Sequence, residues 1–252
     1  MKVTLAVILL CFISPLVAVA SGADPLGEEM PRTITMKNGS MPAWVDVREA
    51  WSDLSGWNAQ LLGPHVEALS ELMNTRTNSD CVQVGTVHVD HAAPPPRDSF
   101  ETAARNAALP LLVRVTDRSF GFFGGIPGQL IQARVLRTFD GKAKRELYYF
   151  FLPVGRFRVG DKEICKTDDA YAVTPEVGSE VLLFGSKPWD GEGKLLGIYG
   201  PGDIITFAGN FAQLPAQYHG AAGSIGSQRN VGKSEILGAV ERERAAVKKV
   251  RQ

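Results

Sequence analysis

From Leu109 to Phe207 the chain repeats one pattern. Short runs of alternating, β-branched and aromatic residues are each closed by a glycine or an Asp-Gly pair. "LPLLVRVTD", "QLIQARVLRTF", "RELYYFFLPVG", "GRFRVGDKEICK", "SEVLLFGS", "PWDGEGKLLGIYG" and "GDIITFAG" follow one another in this way. A period of two with branched and aromatic side chains predicts strands. Asp140-Gly141, Gly160-Asp161 and the Asp-Gly of "PWDGEG" predict tight turns between them. Such closely spaced strands leave no room for crossover helices, so a parallel α/β sheet is excluded. The expected fold is mainly β (α+β), an antiparallel barrel or sandwich over residues 79–210. It carries helices on its N-terminal side and one helix at its C-terminal end.

The stretch "DRSFGFFGGIPGQLIQ", residues 117–132, is the one place where this reading competes with a phosphate-binding loop. A phosphate loop is followed by a helix whose first amides face the anion. Here "QLIQARVLRTF" follows, with strand alternation. The glycines are therefore expected to form a bend that needs positive φ and close chain approach. Phe120, Phe122 and Phe123 are expected to cap the open end of the barrel.

"MKVTLAVILLCFISPLVAVASG" reads as a secretory signal over residues 1–20: Lys2, an apolar run broken by Pro15, and Ala18-Val19-Ala20 before the cut. The run is too short for a membrane span, which needs about 20 apolar residues. The expected location is secreted or periplasmic, with no integral membrane segment after cleavage. Taking Lys2 from 27 basic residues leaves 26 against 27 acidic ones. That balance argues against nucleic acid or an anionic membrane as the main partner. Cys11 leaves with the signal, and Cys81 and Cys165 remain. An even pair in an oxidising compartment reads as one disulfide.

Residues 21–42 read as a loose leader. Over 43–78 a helical segment is expected, because Trp44, Val47, Trp51 and Leu54 recur at three and four; after Gly56, Pro64 suits a helix start followed by Val66, Leu69 and Met73. "CVQVGTVHVD", residues 81–90, alternates as a strand, and the prolines of "HAAPPPRD" end it. Asp98 and Glu101 form an expected capping box for a short helix carrying Phe100, Ala104 and Ala107. Residues 211–232 have linker composition. Residues 233–252 read as a charged helix with six basic and three acidic residues and a thin stripe of Ile236, Val240 and Val247, solvated or docked on a partner.

No motif assigns catalytic, cofactor-binding or metal-binding residues. Gly232-Lys233-Ser234 resembles the end of a phosphate-loop motif, but Ser227 stands where its first glycine belongs. "AGSIG" around Ser224 lacks the first glycine and the strand–turn–helix setting of a nucleophile elbow. In "HVDH", His88 and Asp90 share a strand face, which is two potential ligands where a metal needs a third. Tyr148 and Phe150 fall on one face of a strand and Tyr149 and Phe151 on the other, so at most one pair is free to stack on a ligand.

The run from Leu109 to Phe207, carried by "LVRVTD", "LIQARVLRTFDG", "VGSEVLLFGS" and "GKLLGIYG", resembles the oligonucleotide/oligosaccharide-binding (OB-like) barrels of secreted proteins. The netrin-like modules and the tissue inhibitors of metalloproteinases are examples. The resemblance implies a barrel that binds something on its strand face or loops. The inhibitors' N-terminal chelating cysteine does not carry over, since the first cysteine after the signal is Cys81. The expected function is an exported non-enzymatic binding module for a protein or glycan, without a cofactor. The alternative is a small secreted hydrolase or metal-dependent enzyme using His88 and Asp90.

Overall fold

The computed structural model describes residues 28–39, 42–52, 55–74, 81–83, 99–166, 174–198, 200–215, 218, 225 and 231–250. Along the chain come β1 (Thr33–Thr35), β2 (Pro42–Asp46), α1 (Val47–Ala50), β3 (Trp51–Ser52), β4 (Gly56–Trp57), α2 (Ala59–Leu62), α3 (His65–Asn74), β5 (Val82–Gln83) and α4 (Phe100–Asn106). The central run supplies β6 (Leu109–Phe123), β7 (Ile126–Thr138), β8 (Leu147–Leu152), β9 (Gly155–Val159), β10 (Lys162–Lys166), β11 (Glu180–Gly185), β12 (Leu195–Leu196) and β13 (Ile204–Ala208). β14 (Phe211–Gln213), β15 (Val231–Gly232) and α5 (Lys233–Val250) complete it.

One large mixed sheet dominates, in the order β12-β8-β7-β6-β11-β13-β14-β15, with β2 added to the tip of β6 and β1 to β2. Every pairing in it is antiparallel except β12 with β8. The protein is mainly β, as the alternation required. The sheet is not a closed barrel among the described residues. One face buries Leu111, Val113, Val115, Ile131, Tyr148, Phe150, Val181 and Leu183. The opposite face, through Leu112, Leu182, Phe184 and Ile205, packs against α4 and α5.

The glycine cluster is a bend. Gly124 and Gly125 have φ of +53° and +77° and turn β6 into β7. Two left-handed residues are what a tight primed hairpin turn needs. Gly121 and Gly128 stand opposite each other in the two strands. A Cβ on Gly121 would lie 2.1 Å from Val45 O, and one on Gly128 would lie 2.2 Å from Leu152 O. Glycine is needed there for backbone approach, and no helix follows Gly128. Phe120 and Phe122 pack on Phe157, and Phe123 stacks on Phe151 with centroids 5.1 Å apart. These rings fill cores on the two faces of the hairpin; they do not cap a barrel mouth.

Three expectations need correction. The stripe over Trp44, Val47 and Trp51 is not one helix. Trp44 lies in β2, where it pairs with Phe123, and Trp51 pairs with Trp57 across a two-stranded ribbon. The four-residue α1 between them brings spacings of three and four about without a continuous helical face. Tertiary pairing with the long β6 overrides the local period. The later half does form the helix α3 directly after Pro64. Second, α4 is capped by Ser99, whose Oγ accepts from Thr102 N at 3.1 Å, one residue later than the expected box; Glu101 accepts from Ile225 N instead. Third, residues 211–232 are not a free linker where they are described. β14 and β15 pair with each other, Tyr218 and Ile225 are wholly buried, and the Tyr218 hydroxyl donates to Gly202 O at 2.8 Å.

The C-terminal helix forms as expected from its Ala, Glu, Arg and Lys content. It docks on the protein itself, with Ile236, Ala239 and Val240 in the core beneath it. No helix among the described residues is long and apolar enough to cross a membrane. Cys81 and Cys165 are joined, with Cα atoms 5.8 Å apart, and hold β5 beside β10.

Candidate functional site: a cationic cleft

Four segments that are far apart in sequence meet around a cleft of about 1290 Å³. They are the C-terminal end of α4, the last turns of α5, the turn at 139–146, and the loop at 186–193 between β11 and β12. Lys37, beyond β1, completes the rim.

Each wall is fixed by local chemistry. In the first turn Gly141 has φ of +72°. Gly141 N donates to Thr138 Oγ1 and Lys142 N to Asp140 Oδ1, the self-bonded turn that Asp-Gly favours. The Lys144 amide then donates to the buried Tyr148 hydroxyl at 3.1 Å, which anchors "KAKR" to the core on that face of the sheet. In the second loop, Asp190 Oδ1 accepts from both Lys194 N and Leu195 N at 2.8 Å. Behind it, Lys194 hydrogen-bonds Glu28, which holds its ammonium above the ordinary value against the opposing effect of burial. Lys37 is set by its amide donating to Trp189 O at 3.2 Å.

The cleft is lined by seven cationic side chains and two acidic ones, Asp190 and Glu192. Four of the cations are committed. Arg244 donates to Asp140 Oδ2 at 2.7 Å and also to the carbonyls of Arg105 and Ala107 at 2.8 and 2.9 Å. Lys142 lies 3.2 Å from the same Asp140 carboxylate. Arg105 pairs with Glu243 at 2.7 Å, and Arg145 donates to Glu192 O at 3.0 Å. Lys37, Lys144 and Lys187 are exposed, and among the described residues their ammonium groups have no ionic partner. Electrostatically the cleft can hold an anion. Several cations around one concave surface reinforce one another's field, which low-dielectric walls focus.

The candidate residues of the sequence fare differently. His88, Asp90 and Ser224 lie outside the described residues. No group of three potential metal ligands occurs among the described residues. Gly232 and Lys233 stand at a strand-to-helix junction after all, but β15 is a two-residue strand and Lys233 is bound to Glu180 while lying over the Phe207 ring. Arg114 reaches the same carboxylate at 2.9 Å, and the hydrogen bonds from Lys233 and Arg114 hold Glu180 below its ordinary value of 4.5. The aromatic run at 148–151 is buried on both faces: Tyr148 and Phe150 in the core on one face, Tyr149 against Leu130 and Leu195 with Phe151 alongside. Neither pair forms a stacking platform.

The cleft itself was not foreseen. Its one local signal is the basic turn "KAKR" between two strands. The near-zero net charge hides the rest, because opposite charges elsewhere cancel it. No family model, curated protein or solved structure matches the chain.

Proposed function

We propose that this chain is an exported non-enzymatic binding module that holds an anionic partner, a protein or glycan, in the cleft between α4, α5 and the two turns. The observation that carries this reading is the convergence of seven cations on one concave surface, four of which (Lys37, Lys144, Arg145 and Lys187) have no ionic partner among the described residues. The secretory pattern of residues 1–20 and the Cys81–Cys165 bond support export. The mainly antiparallel order of the large sheet is compatible with the resemblance to OB-like, netrin-like barrels. Ser186 N, just past β11, donates to Gly197 O at 3.0 Å, and Pro188 bridges to Leu196, so the chain leaving β11 meets β12. Binding on loops at a barrel end fits that architecture.

The test uses the bulk neutrality of the protein. At pH 7 the formal net charge is zero for the whole chain and −1 without residues 1–20, so retention on a carboxylate-bearing matrix at low salt reports a concentrated patch. The mature protein is expected to be retained and to elute as salt shortens the screening length to about 8 Å near 0.15 M. Lys144→Gln with Lys187→Gln is expected to abolish retention. Passage of the unaltered protein without delay, or retention untouched by the two substitutions, would refute the proposal.

A further inference from the structure

We infer that the cleft is occupied by an extended acidic segment of a partner protein, rich in Asp and Glu and interspersed with small apolar residues. This rests on the reading of the cleft as an anion site and narrows it to one class of ligand.

Which cations remain available points first to spaced single charges. The guanidinium forks of Arg105 and Arg244 are consumed by Glu243 and Asp140, while Arg145 gives one N–H to the Glu192 carbonyl and keeps its charge. Planar two-pronged recognition of a phosphate or sulfate depends on such forks. What is left is mostly lysine: beside the single Arg145 stand Lys37, Lys144 and Lys187, point charges on flexible stems that meet carboxylates one at a time.

The surface between the lysines argues against sugar rings and bases. A glycan or single-stranded nucleic acid is held largely by stacking on exposed aromatic faces. The cleft has one aromatic residue, Tyr148, only 2% exposed and with its hydroxyl engaged by Lys144 N. The remaining wall is small and apolar, through Ala107, Ala108, Pro188, Ala246 and Val247. Short apolar side chains fit such a wall, and acidic neighbours reach the lysines.

Size points the same way. Ordinary small-molecule pockets run to about 1,000 Å³. This cleft exceeds that and adjoins a second hollow of about 520 Å³, with which it shares Asn106, Ala107, Ala108, Lys187 and Pro188. The second hollow is floored by Phe184 and bordered by Trp189, whose ring lies against Gly197. It suits one apolar anchor side chain beside an acidic run. The exposed amide of Asn106, at the junction, offers a donor and an acceptor to an extended backbone.

Fluorescence anisotropy on the mature protein tests this. The probes are a labelled peptide of alternating Glu and Ala, about ten residues or roughly 33 Å when extended, and its Gln-Ala counterpart. Oligogalacturonate and dextran sulfate are titrated as competitors. The Glu-Ala peptide is expected to bind and the Gln-Ala peptide not. Lys144→Glu with Lys187→Glu is expected to weaken binding about tenfold or more, with an unchanged melting temperature. Arg242→Glu, exposed on α5 and outside the cleft, is expected to leave binding alone. If a glycan binds and the Glu-Ala peptide does not, the peptide assignment is overturned while the anion site stands. Peptide binding unaffected by the double lysine variant also overturns the assignment. If no anionic probe binds, both readings fall.

Discussion

Replacing Arg244 by Met keeps most of the apolar stem and removes the guanidinium. Arg244 is a charged residue in the second half of a surface helix, yet its side chain is only 6% exposed and that of Asp140 only 2%. From α5 it donates to two carbonyls at the end of α4 and to the carboxylate of the 139–146 turn. The carbonyls at a helix end have no partner within the helix, so Arg244 satisfies groups that would otherwise be stranded. Breaking a buried ion pair by removing one partner costs about 3–5 kcal/mol. Lys142, 3.2 Å from Asp140 and half exposed, still partly compensates that carboxylate, which places Arg244→Met near the lower end, about 3 kcal/mol. In a protein of this size each kcal/mol shifts the melting temperature by about 2–4 °C. The expected loss is therefore roughly 6–12 °C by circular dichroism or calorimetry. Asp140→Asn leaves Arg244 buried without its anion and is expected to cost at least as much. Arg242→Met, exposed on the same helix, is the control and is expected to stay within about 0.5 kcal/mol of the parent. If Arg244→Met melts alongside Arg242→Met, the guanidinium is not the tie between α4, α5 and the turn, and the reasoning fails.

Two further outcomes follow from packing and charge. Gly128→Ala drives a Cβ against Leu152 O and is expected to cost about 1–3 kcal/mol by overpacking. Gly124→Ala meets nothing within 4 Å and carries only the penalty of its positive φ, about 1 kcal/mol; urea titration giving the reverse order would refute close approach at Gly128. The hydrogen bonds from Lys233 and Arg114 depress Glu180, so its contribution is complete above the ordinary value of 4.5 and is lost as pH falls through the lower folded value. Glu180→Gln is accordingly expected to be destabilised at neutral pH by about 1 kcal/mol or less and to match the parent at strongly acidic pH. A gap between the two that is independent of pH would contradict the pairing.

The strands were legible because strand formation is written locally. β6 and β7 alternate over part of their length, β8, β11 and β13 are short apolar runs rich in branched or aromatic residues, and the turns at Gly124-Gly125, Asp140-Gly141 and Gly160-Asp161 fall where glycine supplies positive φ. The failures occurred where local and tertiary preferences conflict. Trp44 and Trp51 carry a helical spacing but lie in strands, because β2 pairs with the tip of β6 and β3 pairs with β4. Tyr218 and Ile225 lie in a stretch of linker composition, yet a large ring or branched side chain is buried wherever the fold presents a cavity for it. The cleft was the least legible feature. Lys142, Lys144 and Arg145 stand out as a basic run, but nothing local connects them with Lys187, Arg244 or Lys37.

The order of residues alone was enough for a mainly β protein with a C-terminal helix, a bend at the glycine cluster and a pairing of Cys81 with Cys165. Side-chain period, turn chemistry and simple parity act over a few positions, so a linear reading captures them. It took the folded chain to leave the sheet unclosed among the described residues, to lay α5 back onto its own protein, and to gather a concentrated positive cleft on a chain of zero net charge. Coulomb attraction acts through space. Arg244 and Asp140 are 104 positions apart along the chain, and the field they share with the free lysines exists only once the sheet and the two helices have brought them together.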